Sequence, residues 1–174
     1  EFYTAISDRL DELKLKPTAI IIDDKWQENY GEMLPDKEKW PDLRKFSDEQ
    51  HAKGRKVVLW LKAWNCEGIK EDECITLDNK ALCVDPTNPK YIERVYSAFR
   101  TLLSDEEGCF NCDGFKIDFV DEKVIVPGVK VYDNSKYGIE LMKELLMLYY
   151  KAAKAVKKDA LINNSVCHPY FAET

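Results

Sequence analysis

Asp113-Gly114-Phe115-Lys116-Ile117-Asp118-Phe119 reads as a short buried strand that carries a lysine and an aspartate on one face. Side chains alternate along a strand, so Lys116 and Asp118 point together while Phe115, Ile117 and Phe119 point oppositely. A charge on so apolar a strand is costly unless it is paired or used. A strand-end carboxylate beside a lysine stays ionised, the state a nucleophile needs. The same residues also fit a buried structural Lys–Asp pair.

On either side of this strand, helical and strand patterns alternate. Tyr3 to Lys16 places Ile6, Leu10, Leu13 and Leu15 near helical spacing, and Pro17 stops it. Thr18-Ala19-Ile20-Ile21-Ile22 has the look of a strand buried on both faces. A polar and aromatic loop, Asp23 to Trp40, leads to a helix from about Pro41 to Ala52 that ends at Gly54. Lys56 to Leu61 is the next strand. The following loop, Lys62 to Asn88, is too long for a simple connector and is expected to be functional. Pro89 opens a helix over Tyr91–Leu103. After Phe119 come a Val/Gly/Pro loop, a long helix over Tyr137–Lys157, and a closing strand, Leu161 to Val166.

Helix and strand thus repeat four times with no hairpin signal, which predicts parallel strands joined by crossover helices. A doubly wound open sheet would carry a Gly-rich phosphate turn after a strand, and the chain's 7 glycines form none. Instead each strand is followed at once by polar and aromatic residues: Asp23/Asp24/Trp26, Lys62/Trp64/Asn65, Asp118/Asp121 and Asn164/Ser165/His168. Barrel active sites are assembled at that end of the strands. The expected fold is α/β, a parallel-stranded partial TIM (β/α)8 barrel of about four βα units, occupying 1–174 as a single piece.

The 174 residues fall short of the roughly 250 of a full barrel. The chain begins at Glu1 and stops at Phe171-Ala172-Glu173-Thr174; both ends read as cuts, so a longer parent protein is expected. A net charge of −6 argues against a nucleic-acid backbone as partner. No 18-residue apolar run is present, so no membrane-spanning helix is expected. Cys109-Phe110-Asn111-Cys112 has the gap of a metal knuckle, with Cys66, Cys74 and Cys83 as conceivable further ligands. Their irregular spacing favours thiols or one or two loop disulfides, and the compartment stays open. No cofactor is implied.

At the predicted rim, Asp23 and Asp24 offer carboxylates, Trp26, Trp60 and Trp64 offer flat apolar faces, and Lys62 and Lys116 offer cations. Acids that grip hydroxyls, aromatics that stack on sugar rings and one activated carboxylate make a carbohydrate site. The tryptophans also fit ordinary core packing, and Asp23-Asp24 also fit a capped turn.

The chain resembles the catalytic barrel of the α-galactosidase-like glycoside hydrolases, families 36 and 31 and their relatives. The resemblance rests on Ile22-Asp23-Asp24-Lys25-Trp26-Gln27, Trp40-Pro41-Asp42-Leu43, Lys53-Gly54-Arg55-Lys56-Val57-Val58-Leu59-Trp60, Val84-Asp85-Pro86-Thr87-Asn88-Pro89 and the Asp113–Phe119 strand, in that order. It implies a retaining mechanism with Asp118 as nucleophile and a second carboxylic acid ~5–5.5 Å away to protonate the leaving oxygen. It further implies that Asp23 and Asp24 bind sugar hydroxyls, that Trp60 packs on the ring and that Lys116 keeps Asp118 charged. Cys167 follows the last strand, where relatives place a cysteine near the sugar. Lys25 replaces the family glycine after Asp-Asp, and Leu61-Lys62-Ala63-Trp64-Asn65 replaces its Leu-Trp-Ile-x-Pro-Glu turn. The family's acid/base lies two strands beyond the nucleophile strand, so no residue here takes that role and the isolated piece is expected to hydrolyse nothing.

Two other readings stand beside this one. Asp23, Asp24, Asp118 and Asp121 are also suited to Mg²⁺. A degenerate barrel that only binds glycans or serves as scaffold would carry the same residues. Uncovered strand edges and helix faces lead to an expectation of self-association.

Overall fold

The computed structural model describes residues 2–122, 126–165 and 167–174. The elements follow as α1 (Phe2–Glu12), β1 (Ala19–Ile22), α2 (Leu43–Ala52), β2 (Lys56–Lys62), β3 (Cys74–Leu77), β4 (Lys80–Val84), α3 (Pro89–Leu103), β5 (Gly114–Asp118), α4 (Ile139–Val156) and β6 (Leu161–Asn164). β1, β2, β5 and β6 form one sheet in that order, every pair parallel. Order in space repeats order in the chain, so the sheet has no reversal of the doubly wound kind. It is four successive strands of a (β/α)8 barrel.

Strand alternation sorts the sheet into two faces. Ile20 and Ile22, Leu59 and Leu61, and Phe115 and Ile117 share the face packed by helices. The last of these join Phe99, Leu102, Leu145 and Tyr149 of α3 and α4 in one core. Phe99 lies 4.1 Å from Phe115, ring centre to ring centre, and the hydroxyls of Tyr91 and Tyr149 meet at 2.7 Å. Helix α3 starts where it does because the Asn88 side chain accepts from the Lys90 N–H and Pro89 fits the first turn. The opposite face carries Ile21, Val58, Trp60, Lys62, Lys116 and Asp118.

Gly114 permits the close seam between β5 and β6. Its φ is +150°, and a Cβ there would stand 2.0 Å from the Leu161 carbonyl oxygen. At the same end of the sheet, the buried Asp113 carboxylate accepts from the Val57 N–H at 2.8 Å and meets His51 Nε2 at 2.6 Å. Lys56 and Lys157 lie 3.4 and 3.5 Å from it. This end is opposite the candidate site, so the cluster is structural.

Three expectations need correction. The chain does contain a hairpin: β3 and β4 pair antiparallel around Asp78-Asn79, with φ of 50° and 59°. The loop after β2 is therefore a folded excursion, and Lys130 bridges to Thr76 beside it. Helix α1 stops at Glu12, before Lys16, because Leu15 N–H turns back to the Leu10 carbonyl and Lys14 takes a φ of 55°. Leu13 and Leu15, read as part of its apolar face, are exposed. Helix α4 begins at Ile139, after Gly138, which leaves Tyr137 outside it. Val166, assigned to the last strand, lies outside the described residues, as do 123–125 of the loop after Phe119.

Candidate active site

The two interior strands carry the site. Register places Trp60 beside Lys116 and Lys62 beside Asp118. Asp118 is the last residue of β5, and its backbone carbonyl still accepts the Ala63 N–H at 2.9 Å, which holds it in the sheet. Its side chain has three donors around it. Trp60 Nε1–H donates to Oδ2 at 3.1 Å, the Phe119 N–H donates to Oδ1 at 3.0 Å, and Lys116 Nζ stands 3.6 Å from Oδ2. Burial alone raises this carboxyl's pKa; the Trp60 and Phe119 N–H groups and the Lys116 charge outweigh it and leave the pKa below the ordinary aspartate value. Asp118 is thus a partly accessible, ionised carboxylate at a strand end.

Lys116 also donates to Asp23 Oδ2 at 3.3 Å, so one cation bridges the loop after β1 and the end of β5. Asp23 is oriented in turn by its own N–H donating to Tyr3 Oη at 2.8 Å. The Asp24 N–H donates to Asp23 Oδ1 at 2.9 Å, and Tyr30 Oη donates to Asp24 Oδ1 at 2.7 Å. Asp23, Asp24, Trp60, Lys116 and Asp118 therefore form one connected group.

Other candidates are placed differently. Trp26 and Trp64, each 1% exposed, lie in the core with no face left for stacking. Their indole N–H groups donate to the Trp60 and Val120 carbonyls at 2.6 and 2.7 Å. Both tryptophans shape the rim from below. Trp60 is itself only 3% exposed, and its indole N–H faces Asp118. Lys62 reaches the rim but lies 3.8 Å from Glu122 and 4.8 Å over the Phe119 ring. Cys167 lines a separate cavity with Asn164, His168 and Phe171. Asp121 is exposed, and among the described residues no three His, Cys, Asp or Glu side chains converge as a metal site requires.

Tyr30 is the residue that sequence reasoning missed. Its ring sits 5.8 Å from Trp60, with Lys25 Nζ 4.2 Å above it, while its hydroxyl fixes Asp24. Lys25, which stands where the resembled family has glycine, accepts a φ of 67°. Phe119, expected to point away with Phe115 and Ile117, instead adds a partly exposed ring on the site side, 6.2 Å from Trp60, because its φ of 56° ends the strand alternation at Asp118.

No family model matches this sequence, and no curated protein matches it either. Solved structures do match in shape. One is a family 31 α-xylosidase from a soil metagenome, solved with xylose (14% identity, 92% of this chain, 26% of that one, TM-score 0.67). The fold shared with it is that of part of a (β/α)8 barrel. Another glycoside hydrolase with this fold is a family 31 sulfoquinovosidase from E. rectale, solved with an aza-sugar inhibitor (19% identity, 91% and 28% coverage, TM-score 0.67). A third matching structure is the cycloalternan-forming enzyme from Listeria monocytogenes, solved with a pentasaccharide substrate (16% identity, 91% and 19% coverage, TM-score 0.65). The chain spans between 19% and 30% of the length of such proteins.

Proposed function

We propose that this chain is the nucleophile-bearing part of a retaining glycosidase that removes terminal α-linked sugars, with α-galactosides as the first substrates to try. The observation that carries the reading is the Asp118 carboxylate, kept ionised at the end of β5 by Trp60, the Phe119 N–H and Lys116. Attack of Oδ on the anomeric carbon displaces the leaving oxygen and forms a glycosyl ester, which water then hydrolyses. Asp23, Asp24 and Lys116 bind ring hydroxyls, and Trp60 orients the nucleophile from its flank. Lys62, at the end of β2 beside Asp118, is assigned to the rim of the site, whereas Cys167, which lines a separate cavity, is left out of it. The proton donor belongs to the parent protein outside these residues, so this chain alone has no turnover. The sugar-binding glycosidases that share the fold support this reading.

The test uses the full-length protein. A fluorinated glycosyl inactivator should label Asp118, and Asp118→Asn should abolish turnover of aryl α-glycosides while keeping sugar affinity. A label on another residue sinks the assignment. Loss of metal binding in that variant would mark a Mg²⁺ enzyme, and unchanged behaviour would mark a glycan-binding scaffold. A panel of α-galactoside, α-glucoside and α-xyloside separates the substrates.

The isolated chain is also proposed to self-associate. Ile21 and Leu161, each 40% exposed, lie on the two edge strands β1 and β6. Sedimentation that stays monomeric as concentration rises would refute this.

A further inference from the structure

The loop after β1 and the start of α1 enclose a cavity of about 320 Å³ beside the candidate site. Its lining combines the rings of Phe2, Tyr3 and Trp40 with Asp24, Lys25 and Lys39. The Trp40 N–H donates to the Asp36 carbonyl at 2.8 Å, and the Trp40 ring lies 5.4 Å from Phe46 and 5.6 Å from Tyr3. Lys39 Nζ donates to the Lys25 carbonyl at 3.0 Å and pairs with Asp36 at 2.8 Å, which laces the loop's two ends together. The walls therefore hold their places without a ligand.

Several polar groups of this lining have no protein partner. Trp26, Trp60 and Trp64 all donate their indole N–H groups, to the Trp60 carbonyl, Asp118 and the Val120 carbonyl. Trp40, the fourth tryptophan, is half-buried, and its indole N–H has no acceptor among the described residues. Tyr3 Oη accepts the Asp23 N–H, and its own proton likewise has no acceptor among the described residues. Asp24 Oδ1 takes the Tyr30 hydroxyl, whereas Oδ2 has no donor among them.

We propose that this cavity is a second sugar position, taking one neutral pyranose ring beside the site that holds Asp118. The inference rests on the glycosidase reading above for its class of ligand. A pyranose has an apolar C–H face and a rim of hydroxyls. The lining matches both, with aromatic rings for the face and unspent donors and an acceptor for the rim.

Charge argues for a neutral guest, since Asp23 and Asp24 are balanced by Lys25 and Lys39 in the lining. Size argues for a single ring, since about 320 Å³ is at the small end of ligand pockets, roughly 300–1,000 Å³. Asp23 joins the two positions: its carboxylate accepts from Lys116, while its N–H is held by Tyr3. Two positions joined through one residue suit an oligosaccharide better than a single sugar.

The test titrates this chain, nitrogen-labelled, with methyl α-galactoside and methyl α-glucoside while NMR follows the indole N–H signals. Trp60 reports the Asp118 site and Trp40 reports the cavity, so the two readings fail separately. A saturable displacement of the Trp40 signal by at least one sugar is expected. Trp40→Phe keeps a ring without the N–H. Binding followed at the Thr4 and Lys39 amides should then weaken at least about threefold, the scale of one lost neutral hydrogen bond.

Movement of Trp60 alone overturns the inference and leaves the glycosidase reading standing. Movement of Trp40 alone supports the cavity and counts against sugar binding at Asp118. Unchanged affinity in Trp40→Phe, or an equal response to acyclic sorbitol, overturns the inference too. So does a Trp40 signal that answers only to chain concentration, which would mark a second copy as the occupant.

Discussion

Trp60 and Asp118 meet across adjacent strands, with the indole N–H donating to the carboxylate at 3.1 Å. Strand register places Lys116 beside Trp60, so tryptophan and lysine approach the same oxygen from neighbouring positions. A hydrogen bond to an ionised group favours the charged form, so this contact helps keep Asp118 unprotonated.

Trp60→Phe removes that donor and keeps most of the ring. Burial then acts with one opponent fewer, and the pKa of Asp118 rises. An NMR titration of the aspartate carboxyl carbons should show the Asp118 midpoint displaced to higher pH. A midpoint that does not move would mean the indole contributes nothing to the charge.

Asp113 predicts a pH dependence of stability. Burial pushes its carboxyl up, but the Val57 N–H, His51 and Lys157 outweigh this and set it below the ordinary value. A carboxyl depressed in the folded state contributes its full stabilisation above its unfolded pKa, about 3.9. That contribution is lost as pH falls through the folded value. Asp113→Ala strands the Val57 N–H and should cost about 3 kcal/mol near neutral pH, as urea denaturation would record. The difference between variant and parent should shrink in acid; a difference constant with pH would refute the assignment.

Gly114→Ala sets a methyl group against the backbone of Leu161 and demands a φ that side chains avoid. The strands cannot both keep their places. A loss of at least about 2 kcal/mol is expected, with β6 amides exchanging faster than those of β1. Unaltered stability would show that the seam is looser than described.

Asp85 fastens a distant segment. One oxygen accepts from the Thr87 N–H and hydroxyl at 2.9 and 2.6 Å, and the other accepts the Tyr132 N–H at 2.7 Å. Asp85→Ala should release residues 131–133 from the turn before α3. Hydrogen exchange at Tyr132 should quicken roughly tenfold or more, the scale of one lost charged hydrogen bond. Tyr132 exchange at the parental rate would contradict this.

Much of this architecture was legible before any coordinates. Ile20-Ile21-Ile22 and Val57-Val58-Leu59 are apolar and β-branched enough to read as strands, and Pro89 marks the start of α3, but β1 is not buried on both faces as expected, since Ile21 is exposed. The β3–β4 hairpin escaped because its strands are short and partly polar, although Asp78-Asn79 is a pair able to take positive φ at both turn positions. Lys116 and Asp118 were readable as neighbours because period-two alternation is local. Tyr30 was not, since its place depends on how the Asp23–Trp40 loop folds, including the Gln27–Pro35 bridge. Trp26 and Trp64 show the limit from the other side. Composition marks a tryptophan as a possible sugar platform, but only packing decides whether its face is covered.

The sheet order has a dynamic consequence. Trp60, Lys116 and Asp118 sit on β2 and β5, and each of those strands has a hydrogen-bonded neighbour on both sides. Thermal fraying starts at the outer strands, whose ladders are held from one side, and spends itself there. The carboxylate's aim is therefore insulated from the breathing of the molecule's margins, and the slowest-exchanging amides of this chain should be those on which its chemistry is mounted.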